Sequence, residues 1–359
     1  MTTQAAIPKN MKAVVTHGYN DVRVEEVPTP ELEAGFVLCK TGGCGICGTD
    51  AHIIQGAYKG TWPPWFPFIQ GHEWAGTVMA CGEGADSVKP GDRVLLDDHR
   101  SCLTCRMCRR GRYTLCESMG KLKPGGHRLY GHDEQGGFAE FLKAAHWQLH
   151  KIPDDMPFEE AIIANQATTA LHAVERVQLQ AGENVLVVGP GLLGLLTMQI
   201  AFAVGAFEVY VVGRGARLAF AKKLGASEII DFTKENPVER VWQLTGDRGA
   251  DIAFDCAGTI QAIQTCVMGV GRGGRVAITG FNGGIEVPIV TDRFSHDEVD
   301  LFGVRSHPNT WEATINLMAA GRLDVKPLVS GIYPMENFLE AMEAFVQRKD
   351  GAIRNVIKP

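Results

Sequence analysis

The stretch from residue 184 to residue 204 constrains the fold more than any other part of this chain. The run Asn184-Val185-Leu186-Val187-Val188 has the apolar, β-branched character of a short buried strand. It is followed by Gly189-Pro190-Gly191-Leu192-Leu193-Gly194, and then by apolar residues that reach Val204 without a breaker. Strand, glycine-rich turn and helix in that order give the pattern G-x-G-x-x-G its meaning as a dinucleotide site. Gly189 permits the tight turn, Gly191 lets backbone approach a pyrophosphate, and Gly194 allows close helix–strand packing. The helix that opens at Leu192 offers free N–H groups and a partial positive charge to phosphates. The plainer alternative is a strand–turn–helix whose glycines serve packing alone. Downstream, strands are predicted at 208–212, 229–230, 252–255 and 275–279, with a helix over 216–224 that Gly225 ends. Such alternation predicts an α/β fold with a doubly wound parallel sheet.

The end of the second predicted strand speaks to the cofactor. A site for NAD carries an acidic residue about 20 residues beyond the glycines, for the ribose hydroxyls. Here that position is Gly213, and Arg214 follows. A missing carboxylate removes repulsion against a 2′-phosphate, and a guanidinium can pair with that phosphate bidentately. The pair therefore points to NADP over NAD. Arg214 as a solvated loop charge, or stacked on adenine in either cofactor, is the competing reading.

Residues 12 to 100 have a different texture. Short β-like runs at 12–16, 37–40, 77–80 and 93–96 are broken by glycine and proline, which predicts a mainly β, partly barrel-like region. A helix is predicted over 158–174, and the tail adds helices over 311–320 and 335–347 and a strand at 355–357. A length of 359 residues suggests two domains. The net charge of −6 offers no basic field for nucleic acid. No apolar run is long enough to span a bilayer, and MTTQAAIPKN lacks a secretion signal, so a cytoplasmic location is expected.

Ten cysteines in such a chain call for a reason other than disulfides. Four of them, Cys102, Cys105, Cys108 and Cys116, form C-x2-C-x2-C-x7-C. Four thiolates on a short loop suit a closed, tetrahedral structural zinc. An iron–sulfur cluster is the competing reading; the flanking Arg106, Arg109, Arg110 and Arg112 and the dinucleotide fold favour zinc.

A second cluster joins Gly45-Ile46-Cys47-Gly48-Thr49-Asp50-Ala51-His52 to Gly71-His72-Glu73-Trp74-Ala75-Gly76. Cysteine, histidine and carboxylates can hold a zinc with one position open to substrate, which polarises an alcohol or carbonyl oxygen. These motifs, the four-cysteine lobe, GPGLLG and the closing IRNVIKP follow one another as in the zinc-dependent medium-chain dehydrogenases, the group of alcohol, sorbitol and threonine dehydrogenases, and the chain resembles that family over nearly its whole length. The resemblance implies a GroES-like catalytic domain over residues 1–158, with the zinc lobe at about 98–118, then a Rossmann domain over 159–295 and a return to the catalytic domain over 296–359. It implies an active site in the cleft between the domains, one structural and one catalytic zinc, and hydride transfer between an alcohol, ketone or aldehyde and NAD(P). It also implies a homodimer or homotetramer.

Carried over residue by residue, Cys47 and His72 match the first two ligands of the catalytic zinc. Thr49 matches the hydroxyl that touches the substrate oxygen, and His52 the histidine that passes its proton to solvent. Asp50 matches the carboxylate that orients the ligand histidine. Glu73 matches a carboxylate behind the metal that coordinates it in some relatives, and Arg354 an arginine on the cofactor pyrophosphate. The third ligand, a Cys or Glu in the family, falls on Asn165, a neutral oxygen donor that suits zinc poorly. Three arrangements stay open: Asn165 ligates weakly with Glu73 or water completing the shell, another residue ligates, or the catalytic zinc is lost. The last would give a zinc-free NADPH-dependent reductase of an activated alkene or imine. A non-catalytic nicotinamide-binding protein is the further alternative, and the retained relay residues argue against it.

Weaker signals remain. The aromatic loop 62–68 reads equally as a pocket wall or as packing; His132 and Gln135 carry no assigned role; Asp255 and Cys256 end a strand near the cofactor position; and 295–300 reads as a solvated turn.

Overall fold

The computed structural model describes residues 7–359. The chain divides into two compact units, one built from the residues up to Asn165 together with Val325–Pro359, the other from Gln166–Asp324.

The first unit is mainly β. A seven-stranded sheet runs in the order Leu149–Lys151, Arg93–Leu96, Glu73–Cys81, Phe36–Gly45, Arg354–Lys358, Val329–Pro334, and Phe141–Ala145 also pairs with Phe36–Gly45. A three-stranded sheet sets Asn10–Gly18 between Asp21–Pro28 and Phe68–Ile69. Their inner faces share one core that includes Val14, Val37, Leu38, Trp74, Phe138 and Phe338. Trp74 anchors it: the indole N–H donates to Thr41 Oγ1 at 2.9 Å, and the ring lies where a side chain at Gly76 or Gly137 would stand. A buried indole needs such a partner for its N–H.

The second unit holds six parallel strands in the order Glu228–Asp231, Glu208–Gly213, Asn184–Val188, Ala250–Asp255, Val270–Ile278, Asp300–Gly303. This is strand order 3-2-1-4-5-6 of the doubly wound dinucleotide fold. The fold predicted from residue 184 onward is thus the fold observed, and the helix Leu192–Val204 has its expected bounds.

Three expectations change. The helix predicted over 158–174 is two helices, Phe158–Ala161 and Ala164–Arg176, interrupted at Ile162-Ile163. Both isoleucines are fully buried, and adjacent β-branched side chains fit a helix poorly. The return to the first unit begins at Val325 and not at 296. Asp300–Gly303 extends the parallel sheet and so stays with the second unit, as does the helix Trp311–Ala319. The charged run 295–300 is less solvated than predicted: Asp297 pairs with Arg293 and, at 3.3 Å, with Arg272, and Val299 is buried. No helix among the described residues is long and apolar enough to cross a membrane.

The glycine-rich turn shows why its residues are small. Gly189 has φ +111°, in the region that favours glycine. A Cβ on Gly194 would lie 1.9 Å from the Gly189 carbonyl oxygen. Gly194→Ala is therefore expected to lower stability by about 1–3 kcal/mol, as overpacking does, and to weaken dinucleotide binding. Denaturant unfolding and cofactor titration of the purified variant check both effects.

Candidate active site and zinc lobe

The site is set by strand register. In the antiparallel pair Phe36–Gly45 and Glu73–Cys81, Gly45 lies opposite Glu73. The end of one strand therefore delivers Cys47 to the point where the other strand begins with His72 and Glu73. The strand Arg354–Lys358 pairs Val356 with the same Gly45 and brings Arg354 alongside. A Cβ on Gly45 would lie 2.7 Å from Glu73 Oε2 and 3.2 Å from Arg354 Cδ, so glycine leaves the space that these two side chains fill.

Cys47 caps the short helix Gly48–Ile54. Asp50, in its first turn, is fully buried and takes a hydrogen bond from the Cys47 N–H at 2.8 Å through Oδ2. Its other oxygen faces His72 Nδ1 at 3.6 Å. This contact directs a proton to Nδ1 and leaves Nε2 to bind a metal. Donor atoms of Cys47, His72 and Glu73 all lie within 4.8 Å of one another. A soft sulfur, an imidazole nitrogen and a carboxylate are the donor types that zinc takes. Burial pushes the His72 pKa down, but the Asp50 carboxylate, together with Cys47, more than offsets this and holds it well above the usual histidine value.

Glu73 is also fully buried and pairs through Oε2 with Arg354 Nη1 at 3.0 Å. The same guanidinium donates to the Ile46 carbonyl and lies over the Phe345 ring. A buried carboxylate without a cation would carry a heavy desolvation cost. Arg354, which the family resemblance puts on the cofactor pyrophosphate, thus has protein partners at the metal donors. Asn165, at the third-ligand position, is buried and donates from Nδ2 to Asp98 Oδ1 at 3.2 Å. Thr49 Oγ1 stands 3.8 Å from Cys47 Sγ, and His52 is exposed on the outer side of the same helix.

Sequence reasoning named the loop 62–68 but gave Tyr58 and His132 no part in the aromatic group beside these residues. Tyr58, whose hydroxyl lies 3.5 Å from His52 Nδ1, packs edge-on to Trp62 at 5.3 Å. Trp62 in turn packs on His132 at 4.7 Å, and His132 lies 4.7 Å from the His72 ring. His132 is buried and bonds through Nδ1 to the Tyr130 carbonyl at 3.0 Å. Burial, with His72 adding to it, pushes its pKa down to about 4. The packing reading of loop 62–68 is observed, since Trp62 packs on Tyr58 and His132, Trp65 on Phe68 and Phe66 on Tyr19. Gln135 is structural: its Oε1 accepts from the Ile69 N–H at 2.7 Å. Glycine spacing was the available signal for this group. Gly131 and Gly136 let residues 131–138 run against 69–71, where a Cβ at either would sit within 2.8 Å of the Gln70-Gly71 backbone.

In the lobe, Cys102, Cys105, Cys108 and Cys116 bring their sulfurs within 4.8 Å of one another. Cys102 and Cys116 are 3.4 Å apart, and the Glu117 N–H points at Cys105 Sγ at 3.5 Å. Burial works against ionisation of Cys102, yet the backbone N–H groups of Thr104 and Cys105 outweigh it and bring its pKa down to about 5. The Cys105 pKa is lowered as well, by backbone N–H groups, whereas burial and the neighbouring thiols push that of Cys108 up, a crowding of sulfurs that a tetrahedral zinc would relieve.

In the second unit, Gly191 precedes the helix Leu192–Val204, and nothing lies within 4 Å of where its Cβ would be. Pro190 and Gly213 are coupled, because a Cβ on Gly213 would meet the Pro190 ring at 2.4 Å. Arg214 is exposed, with its guanidinium 5.7 Å above the Phe232 ring. Asp255 accepts from the Ala257 and Gly258 N–H groups at 3.0 and 2.9 Å, a structural role at the strand end.

Comparison with known proteins bears on this arrangement. Residues 33–154 match the alcohol dehydrogenase GroES-like domain, and residues 193–320 the zinc-binding dehydrogenase domain. The sorbitol dehydrogenase of Bacillus subtilis (strain 168) is 34% identical over 354 residues, covering 98% of both chains. This chain belongs to the zinc-dependent medium-chain dehydrogenases. Among solved structures, the alcohol dehydrogenase TADH from Thermus sp. ATN1 superposes with a TM-score of 0.87 at 31% identity, covering 97% of this chain and 99% of that one. A zinc-binding dehydrogenase from Sinorhizobium meliloti 1021, bound to NADP, gives 0.88 at 27% identity, covering 98% and 100%. The family member described here is an oxidoreductase of the zinc-dependent alcohol dehydrogenase type, with zinc and a nicotinamide dinucleotide as cofactors and a small alcohol or carbonyl compound as substrate.

The His72–Asp50 contact gives a pH prediction. In the zinc-free protein the raised His72 pKa contributes stability that is fully present below the unfolded-state value of about 6.5. That stability fades as pH rises through the folded-state value. Zinc must displace this proton, so its affinity is expected to climb with pH over the same window. Asp50→Asn is expected to flatten that dependence and to lower catalytic-zinc affinity roughly 10- to 100-fold. Competition against a calibrated chelator at several pH values measures both.

Proposed function

We propose that this dehydrogenase oxidises a secondary or primary alcohol, of the sugar-alcohol class that its relatives' name suggests, with NADP as the hydride acceptor. The observation that carries this reading is the convergence of Cys47, His72 and Glu73 beside the buried Asp50. Cys47 and His72 are the catalytic-zinc ligands in this proposal, and Glu73 is the available carboxylate. Asn165 serves by holding Asp98. When bound, zinc polarises the alcohol oxygen and lowers its pKa. The remaining work falls to the chain. Thr49 accepts the alcohol's proton as it gives up its own, and His52 takes up the relayed proton and releases it to water from its exposed position. Arg354 balances the Glu73 charge first, and any contact with the cofactor pyrophosphate is secondary to that. The alcohol carbon loses hydride to the nicotinamide, giving the ketone or aldehyde, reduced cofactor and one proton.

Gly189, Gly191 and Gly194, with Pro190, Leu192 and Leu193, bind the pyrophosphate in this reading. Gly213 and Arg214 favour a 2′-phosphate. Among the described residues the edge strand Asp300–Gly303 pairs on one side alone, with Leu301 44% exposed. Open sheet edges of this kind invite pairing with another chain, which supports a dimer or a dimer of dimers. None of the ten cysteines is in a disulfide, and five of them are zinc donors in this reading, which suits a reducing compartment such as the cytoplasm.

Metal analysis tests the central claim. Wild-type protein purified without added zinc is expected to hold about two zinc ions per chain, one for each donor cluster. Cys47→Ser is expected to hold about one and to lose alcohol oxidation. A wild-type value near one, with full activity, rules out the catalytic zinc. Separately, Arg214→Ala is expected to weaken NADP binding about 10- to 100-fold, the loss of one charge-assisted phosphate contact. NAD binding should change little. Fluorescence titration with both cofactors reads the difference.

A further inference from the structure

We propose that His132 reads a second hydroxyl of the substrate, on the carbon next to the one oxidised, and so selects vicinal diols and polyols over simple alcohols. The proposal rests on the dehydrogenase reading of Cys47 and His72 given above.

The first support is the tautomer. His132 Nδ1 lies 3.0 Å from the Tyr130 carbonyl oxygen. A carbonyl oxygen can only accept, so Nδ1 carries the hydrogen, and the neutral ring presents Nε2 as a bare acceptor. The second support is that this acceptor has not been used. Among the described residues Nε2 has no hydrogen-bond partner, and it is not among the side-chain atoms sealed from solvent. A buried histidine with one nitrogen fixed and the other open is waiting for a donor from outside the chain.

The third support is position. The ring stands 4.7 Å from the ring of His72, and Trp62 closes its other side at the same distance, edge-on. A substrate whose reacting hydroxyl sits at the Cys47–His72 donors would place its next carbon, and the oxygen on that carbon, along the His132 face. The indole supplies an apolar surface for the carbon chain between them. His132 also lies outside the donor group of Cys47, His72 and Glu73. Its role is therefore one of substrate positioning: the second hydroxyl donates to Nε2 and leaves the reaction unchanged. A site built to pair a hydroxyl discriminates against an analogue that lacks it, because the acceptor is then left unpaired.

Kinetics of the holoenzyme with a matched pair of substrates, 1,2-propanediol and 2-propanol, test this. The wild type is expected to favour the diol. His132→Phe keeps the ring volume against Trp62 and His72 but removes the acceptor. It is expected to raise KM for 1,2-propanediol about 10- to 100-fold, with kcat, the 2-propanol parameters and the zinc content unchanged. His132→Gln, which restores an acceptor oxygen, is expected to recover part of the diol preference. A parallel loss on both alcohols in His132→Phe would mean a structural or metal-binding role and overturns the proposal, as does an unchanged diol preference. A zinc-loaded wild type that oxidises neither compound, nor any polyol tried beside them, overturns the dehydrogenase reading itself, and this inference with it.

Discussion

The antiparallel register that sets Gly45 opposite Glu73 is the constraint on which the metal site depends. Neither Cys47 nor His72 lies in the interior of a regular element; each stands at a strand end, where a slip of one residue would turn its neighbours to the opposite face. What holds the register is the packing around Trp74. Its indole fills the space left by Gly76 and Gly137 and is tied to Thr41 on the partner strand. A core tryptophan and a few missing Cβ atoms thus help to fix the spacing of the metal donors at the strand end. A site on strand ends with a rigid sheet behind it is held more firmly than one on free loops.

A second layer of order comes from buried charge. Asp50, Glu73, His72 and Arg354 are all buried within one small region, and each faces an opposite partner or a hydrogen-bond donor. Buried ionic groups are stabilised when paired and costly when one partner is removed. The cluster is therefore selected for geometry more than for stability, since apolar side chains would fill the same volume at lower cost. Asn165 belongs to the same picture. Its neutral amide adds no charge of its own to the cluster, and the carboxylate of Asp98 stands 3.2 Å from its nitrogen.

Much of this was legible in the residues. The parallel sheet followed from apolar runs of strand length separated by glycine-punctuated helices, and the four-cysteine lobe from spacing alone. Cys47, Asp50 and His72 come together as the motifs implied. Two of the elements that escaped notice are short. The helix Pro237–Leu244 begins with an Asn236 cap and a proline at its first position, signals that were present but short. The edge strand Asp300–Gly303 is mostly exposed, so its pattern resembles a loop. His132 escaped for another reason. Sixty residues separate it from His72, and what joins them is backbone pairing between 69–71 and 136–138, which no local pattern encodes.

The contact between Pro190 and the Gly213 position has a consequence for how this cofactor site could change over time. The phosphate loop and the end of the second strand share one small volume, and the proline already occupies it. An acidic side chain at 213, the usual route to a preference for the unphosphorylated dinucleotide, has nowhere to go while Pro190 remains. The two positions are therefore ordered: a smaller residue at 190 must come first, and a carboxylate at 213 second. Any side chain at 213, a carboxylate included, therefore depends on a change at 190.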